Sequence, residues 1–124
     1  MKILHTSITV KNMNESIAFY RDKLGFDLLS RREIPENKAE IAFVGSKESN
    51  HTIELTFWRE KSDYASGDEL DHIALGVQNL DEILPRLRSE GVSVAKEPYR
   101  VSGSTRRIAF IKDPNGIWIE LIES

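Results

Sequence analysis

The polar and apolar positions of the chain change period along its length, and each change marks an element. "ILHTSITV" at 3–10 alternates, as a strand with one buried face does. A helical stripe follows, made of Ile17, Phe19, Tyr20 and Leu24, with Asn14 placed as a cap and Gly25 as a stop. Three short strand patterns come next, at 26–32, 40–44 and 52–58. The same order then recurs. "DHIALGV" (71–77) is an apolar strand pattern, Asp81 can cap a helix carrying Ile83, Leu84 and Leu87, and Gly91 can end it. Pro85 is expected near that helix's first turn, where a missing N–H costs least. Strand patterns at 92–96, 107–111 and 117–122 complete the second set. "DPNG" (113–116) supplies its hairpin turn, Pro presetting φ and Asn-Gly tolerating positive φ. The chain reads as an α+β protein in which one unit, βαβββ, is written twice.

Comparison of the two halves supports a duplication. His5 and His72 lie 67 residues apart, as do Val10–Asn12 and Val77–Asn79, and "EIAFVG" (40–45) meets "RIAFIK" (107–112) at the same offset. "IEL" at 53–55 meets "IEL" at 119–121 at an offset of 66, one residue having been lost. The charged stretch "REKSDYASGDEL" (59–70) reads as a linker, so the expected organisation is one domain, 1–124. Its modules are 1–58 and 71–124, with 59–70 between them.

Composition narrows the function classes. The 124 residues are 40% hydrophobic and 30% charged, as in a soluble globular chain with a core of its own. A formal charge of −3 argues against a nucleic-acid surface or attachment to anionic membranes. The absence of cysteine excludes disulfide scaffolds, thiolate zinc sites and thiol catalysis. No apolar run approaches a membrane span and the first ten residues are too polar for a signal peptide, which makes the cytoplasm the expected location.

The candidate chemistry lies in two strands that each carry a glutamate. In "TIELTFW" (52–58), alternation sends Ile53, Leu55 and Phe57 to one face and Glu54 and Thr56 to the other. In "IWIELIE" (117–123) it separates Ile117, Ile119 and Leu121 from Trp118, Glu120 and Ile122. A carboxylate so placed is either solvated at a sheet edge or inside a concave face, where it needs a cation or a proton. The repeat makes Glu54 and Glu120 equivalent, and likewise His5 and His72. Two modules related by a pseudo-two-fold axis would bring the two His–Glu pairs to one centre. Two imidazoles and two carboxylates suit Zn, Ni, Co, Mn or Fe(II) and leave positions open for water or substrate. His51 follows a polar hairpin turn and reads as a surface residue. "SGS" (102–104) is too short for a phosphate loop and reads as an ordinary turn.

Taken together, "HTSITVKNMNESIAFYRDKLGFDLL", "IAFVG…IELTF", "DHIALGVQNLDE" and "IAFIKDPNGIWIELIE" resemble bacterial glyoxalase I, of the vicinal oxygen chelate superfamily. The resemblance covers nearly the whole chain apart from the linker. It implies a curved mixed sheet around a metal cleft, with His5, Glu54, His72 and Glu120 as ligands. It also implies isomerisation of the hemithioacetal of methylglyoxal and a thiol, usually glutathione, to a 2-hydroxyacyl thioester. That step moves a proton from C1 to C2 through an enediolate beside a Lewis acid. By the same resemblance Glu120 is the base, and Glu54 is placed to serve the opposite face. The two units can close a cleft within one chain or each pair with its counterpart from a second. Short members of the family are commonly homodimers with the site between subunits and use nickel or cobalt, zinc serving longer ones and remaining open here.

The chain departs from the family where glutathione binds. The Arg expected four residues after the first His is Thr9, and the Asn expected four after the first Glu is Trp58. A basic residue found in some members four before the second His is replaced by Asp68. Carboxylates are best held by charge-assisted donors, which Thr and Trp are not, so another thiol is a candidate cosubstrate. Arg100, Arg106 and Arg107 are candidates for an anion clamp, the plainer reading being solvated charge. Other chemistries of the scaffold stay open: ring-cleaving dioxygenase, acyl-CoA epimerase, fosfomycin thiol transferase, or a non-catalytic drug-binding resistance protein. The intact four-ligand set disfavours the binder, and Glu54 as a fourth ligand disfavours the dioxygenase.

Overall fold

Alternation along the strands decides which face of each sheet is covered. The computed structural model describes residues 1–65, 67 and 69–124, and divides into two units, Met1–Ser66 and Gly67–Ser124. Asp68 and part of the expected linker therefore lie outside the described residues.

In the first unit β1 (His5–Thr9) leads into α1 (Met13–Ile17), which continues as a π-helical turn over Ala18–Lys23. β2 (Asp27–Ile34), β3 (Ala39–Gly45) and β4 (Thr52–Trp58) follow. The sheet order is β1-β4-β3-β2, with β1 parallel to β4 and the other pairs antiparallel. A helix between β1 and the rest is what lets β1 run parallel to its neighbour, since a tight turn can join only antiparallel strands. α1 packs on β3 and β4. Ile8, Val44, Ile53 and Leu55 are buried on the strands, and Met13, Ile17 and Tyr20 on the helical segment. Each such side chain contributes about 1.5–3 kcal/mol by leaving water.

The second unit repeats the plan with β5 (Ile73–Val77), α2 (Leu80–Ser89), β6 (Ser93–Arg100), β7 (Arg107–Lys112) and β8 (Trp118–Glu123). Its order is β5-β8-β7-β6, again with the outer first strand parallel to the last. Leu80, Leu84 and Leu87 of α2 are buried, as are Ala109, Ile111, Ile119 and Leu121. The expected βαβββ order thus holds in each unit, and the strands form two mixed sheets of four.

Several local expectations are corrected. The helix caps are Asn12 and Asn79, two residues before the Asn14 and Asp81 expected from the sequence. Asn12 Oδ1 accepts from the Glu15 N–H at 2.9 Å, and Asn79 Oδ1 from those of Asp81 and Glu82 at 3.0 and 3.3 Å. Pro85 accordingly sits at the sixth residue of α2, not in its first turn, and removes an interior hydrogen bond. The first helix ends as a π-turn because the Leu24 N–H reaches the Phe19 carbonyl, five residues back, at 3.1 Å. Adjacent Phe19 and Tyr20 are both buried there, rings edge to face at 5.0 Å. Both glycine stops hold, Gly25 and Gly91 adopting φ of 81° and 82°, where a side chain would be strained. "DPNG" is a turn closed by the Gly116 N–H on the Asp113 carbonyl at 3.0 Å. β2 and β6 run further than expected, each through a bulge. Arg59 stays with the first unit, its N–H on the Lys38 carbonyl at 2.9 Å and its guanidinium on Glu33.

Arg107 is no anion clamp. It donates to Glu123 at 2.8 and 2.9 Å and to Asp81 at 3.0 and 3.2 Å, tying the start of α2 to the end of the sheet. Glu123 also accepts the Leu80 N–H, at 2.8 Å, placing negative charge at the helix N-terminus. The Arg107 hydrogen bonds, then the Leu80 N–H, hold the Glu123 carboxyl below its ordinary value of 4.5. A lowered folded-state value means stability that is fully present above the ordinary value of 4.5 and lost as pH falls through the folded one. Glu123→Gln is therefore expected to lower the urea midpoint at pH 7, and the gap from the unaltered protein should close on acidification below pH 4.5.

Candidate metal centre

Each unit places one His–Glu pair on the sheet face turned away from its helix. In the first, His5 opens β1 and Glu54 is the third residue of β4, where it stands opposite Ser7 and Phe43 in the ladders. Ile53 and Leu55 go to the helix side and are buried, so alternation leaves Glu54 on the other side. His5 Nε2 is 3.7 Å from Glu54 Oε2. In the second unit, Glu120 of β8 stands opposite Ala74 and Phe110, with Ile119 and Leu121 buried behind it. His72 Nε2 is 3.1 Å from Glu120 Oε2. His72 lies one residue before β5 and not in the strand, a correction to the strand expected over 71–77.

The four side chains are semi-enclosed. The carboxylates are 19% and 16% exposed, too covered for freely solvated glutamates, and the imidazoles 39% and 34%. Both imidazoles meet the edge of a phenylalanine on the central strand, His5 with Phe43 at 5.1 Å and His72 with Phe110 at 5.8 Å. Two donors sharing one ion at bonds of about 2.1 Å lie roughly 3–3.5 Å apart, close to the separations within each pair. Imidazole and carboxylate also form a donor set that a borderline divalent cation accepts. Among the described residues, no group of three or more His, Asp or Glu side chains is gathered closely enough to hold a metal ion.

The surroundings of the two pairs differ. Glu54 Oε1 accepts from Ser7 Oγ at 2.9 Å and Thr56 Oγ1 at 3.0 Å. Glu120 has apolar neighbours on its face, Phe110, Trp118 and Ile122, and its partner among the described residues is His72. Asp71 Oδ1 accepts from His72 Nδ1 at 2.7 Å, which would leave Nε2 free to ligate. Two lysines border the aromatic surface beside Glu120. Lys96 Nζ is 5.9 Å and Lys112 Nζ 5.4 Å from the Trp118 ring.

Strand alternation puts Thr56 on the Glu54 face, but it does not mark the phenylalanines, Ser7, Asp71 or the lysines as neighbours of the site. Phe43 and Phe110 were findable, since they occupy one position of the repeat. Thr9 and Trp58 fall on the Glu54 face by strand alternation, and both are exposed. Arg100 donates to the Thr105 carbonyl at 3.3 Å and Arg106 is exposed. His51 is exposed as expected, 2.9 Å from Thr6 Oγ1. "VSGST" holds a turn, with the Ser104 N–H on the Val101 carbonyl at 2.9 Å.

A duplicated βαβββ unit with a His–Glu pair in each copy defines a class of metal-dependent and ligand-binding proteins. The chain belongs to the Glyoxalase/Bleomycin resistance protein/Dioxygenase superfamily, whose model matches residues 2–121. It is 43% identical over 127 residues to the lactoylglutathione lyase of Salmonella typhimurium, covering 100% of this chain and 93% of that one. Among solved structures it is similar to glyoxalase I from Zea mays, with a TM-score of 0.88 and 30% identity over 99% of this chain. The chain spans 44% of that longer maize protein. The trypanothione-dependent glyoxalase I of Leishmania major matches with a TM-score of 0.84 and 33% identity, covering 99% of this chain and 86% of that one.

The Asp71 contact generates a prediction that needs no metal. Long-range nitrogen–proton NMR of the imidazole rings is expected to show a proton on His72 Nδ1, where Asp71 accepts it. Asp71→Ala should move the ring toward the Nε2–H form and leave His5 unchanged; a spectrum of His72 indifferent to Asp71 would refute the contact.

Proposed function

We propose that the chain is a metal-dependent isomerase of the glyoxalase I type. It converts the hemithioacetal of methylglyoxal and a low-molecular-weight thiol into the S-lactoyl thioester. The observation that carries this reading is the His–Glu pair found at the same position of both repeats, His5 with Glu54 and His72 with Glu120. Full-length similarity to lactoylglutathione lyases supports it. The four side chains would hold one divalent cation, nickel or cobalt in preference to zinc. They would do so in a homodimer with the site at the subunit interface, acting in the cytoplasm. Among the described residues no helix is long and apolar enough to cross a membrane.

His5, Glu54, His72 and Glu120 would hold the cation, which when bound would supply Lewis acidity to the substrate oxygens. The proton itself is moved by this chain. Glu120 takes it from C1 and returns it to C2, while the hydroxyl proton passes from the C1 oxygen to the C2 oxygen, an isomerisation that conserves atoms and electrons and needs no redox partner. Phe110, Trp118 and Ile122 around Glu120 limit the water that would compete for that proton. Glu54 stands on the other pair, where it could serve the opposite face of the substrate.

The thiol need not be glutathione. Thr9 and Trp58 offer no cation on the Glu54 face, and Arg107 is committed to Glu123 and Asp81. The cations available beside Glu120 are Lys96 and Lys112, which suit a carboxylate-bearing thiol adduct of some kind. The trypanothione-dependent relative is consistent with a family whose thiol varies.

The test is turnover of the methylglyoxal–glutathione hemithioacetal by protein stripped of metal and reloaded with Ni(II), Co(II) or Zn(II). Activity should return with metal, nickel or cobalt above zinc, and fall at least about 100-fold in Glu120→Gln, the lower end of the usual contribution of a general base. A metal-loaded protein inert to this hemithioacetal and to those of other thiols would overturn the isomerase.

A further inference from the structure

Glu54 and Glu120 occupy one position of the repeat, yet their surroundings have diverged. Ser7 Oγ and Thr56 Oγ1 approach Glu54 Oε1 at 2.9 and 3.0 Å and lie 2.9 Å from each other. These three oxygens share two hydroxyl protons, so when both hydroxyls donate within the cluster at least one proton is directed at Oε1. Ser7 is directly opposite Glu54 in the parallel ladder, and Thr56 lies two residues on along the same face. Thr56 is buried and β-branched, which restricts the positions its hydroxyl can take. Oε2 is left on the side of His5.

The second unit has lost both hydroxyls. Ala74 stands where Ser7 does, opposite Glu120, and Ile122 takes the place of Thr56. The support there falls on the other member of the pair, His72, which Asp71 holds at 2.7 Å. Leu4, at the equivalent of Asp71, offers His5 nothing comparable.

We propose that Ser7 and Thr56 are positioning residues that pin one oxygen of Glu54 and so fix that carboxylate as a metal ligand, whereas Glu120, free of such a tether, is left mobile enough to carry the proton. The proposal rests on the metal reading above. It accounts for how a duplicated pair of glutamates comes to divide its work. A carboxylate held through one oxygen presents the other at a constant distance and direction. A carboxylate whose strand neighbours are Ala74 and Ile122 has no hydroxyl on its own sheet face to hold it against a swing between C1 and C2.

The experiment titrates metal-free protein with Ni(II) against a chromophoric chelator. Ser7→Ala combined with Thr56→Val is expected to weaken Ni(II) binding about 10–100-fold, the usual effect of removing groups that support a ligand. Ser7→Thr and Thr56→Ser, which keep the hydroxyls, should bind as the unaltered protein does. In a Glu54→Gln background the same pair of substitutions should cause little additional loss, because the hydroxyls act through the carboxylate. Circular dichroism and Tm identify any variant that fails to fold, for which the single substitutions stand in. Ala74→Ser, which puts a hydroxyl opposite Glu120, should lower kcat about 10-fold with KM and Ni(II) affinity retained. Equal Ni(II) affinity in the double variant, an undiminished loss in the Glu54→Gln background, or an unchanged kcat in Ala74→Ser would each overturn the proposal. An unaltered protein that binds none of Ni(II), Co(II) or Zn(II) would instead remove the metal reading, and this one with it.

Discussion

The arrangement depends on the two-residue period of a strand that is covered on one side only. In β4 and β8 every second residue must be apolar, because a helix closes one face of each sheet and water is excluded there. Ile53 with Leu55, and Ile119 with Leu121, meet that demand. The residues between them are thereby released to the opposite face, where a carboxylate can be kept without desolvation by the core. A shift of one residue in register would bury both glutamates under helices and turn four apolar side chains outward. The same constraint that makes each sheet fold is therefore what presents Glu54 and Glu120.

The parallel pairing of β1 with β4, and of β5 with β8, adds the second half of each site. It lays the first strand of each unit beside the last, start against start, so that a histidine near the start of a module meets a glutamate carried on its final strand. No local feature of sequence brings His5 to Glu54; the helix between them does, by returning the chain so that the later strand lies parallel to the first. The networks beyond the pairs do a different task. Arg107, Asp81 and Glu123 lie at the helix end of the second sheet and stabilise the junction between α2 and the strands. Their charge is consumed there and is not available to a ligand.

Duplication also explains why the two halves need not stay chemically identical. Equivalent positions have kept the ligand types and the packing phenylalanines while the neighbours changed: Ser7 against Ala74, Thr56 against Ile122, Leu4 against Asp71. Such substitutions leave the hydrophobic pattern intact, so either version is compatible with folding. What they alter is the hydrogen bonding of the glutamate and the orientation of the imidazole, which are matters of chemistry and not of fold.

Much of this was legible in the residues alone. The alternation at 52–58 and 117–122, the stops at Gly25 and Gly91 and the repeat offsets all depend on interactions a few residues long, or on comparison of the chain with itself. The helix caps were legible too, at the repeated Asn12 and Asn79, although Asn14 and Asp81 drew attention first; a cap is defined by which N–H its side chain reaches, and that requires the backbone. The partners of the site were decided by tertiary structure. Ser7 meets Glu54 only once a register is chosen, and Arg107 meets Asp81 only once α2 is laid against the sheet. The sequence alone thus determined the periodicities and the face of its strand that Glu54 and Glu120 each take, because these follow from local geometry. Which side chains steady them was settled by the folded chain, because contacts between residues distant in sequence depend on register, rotamer and packing.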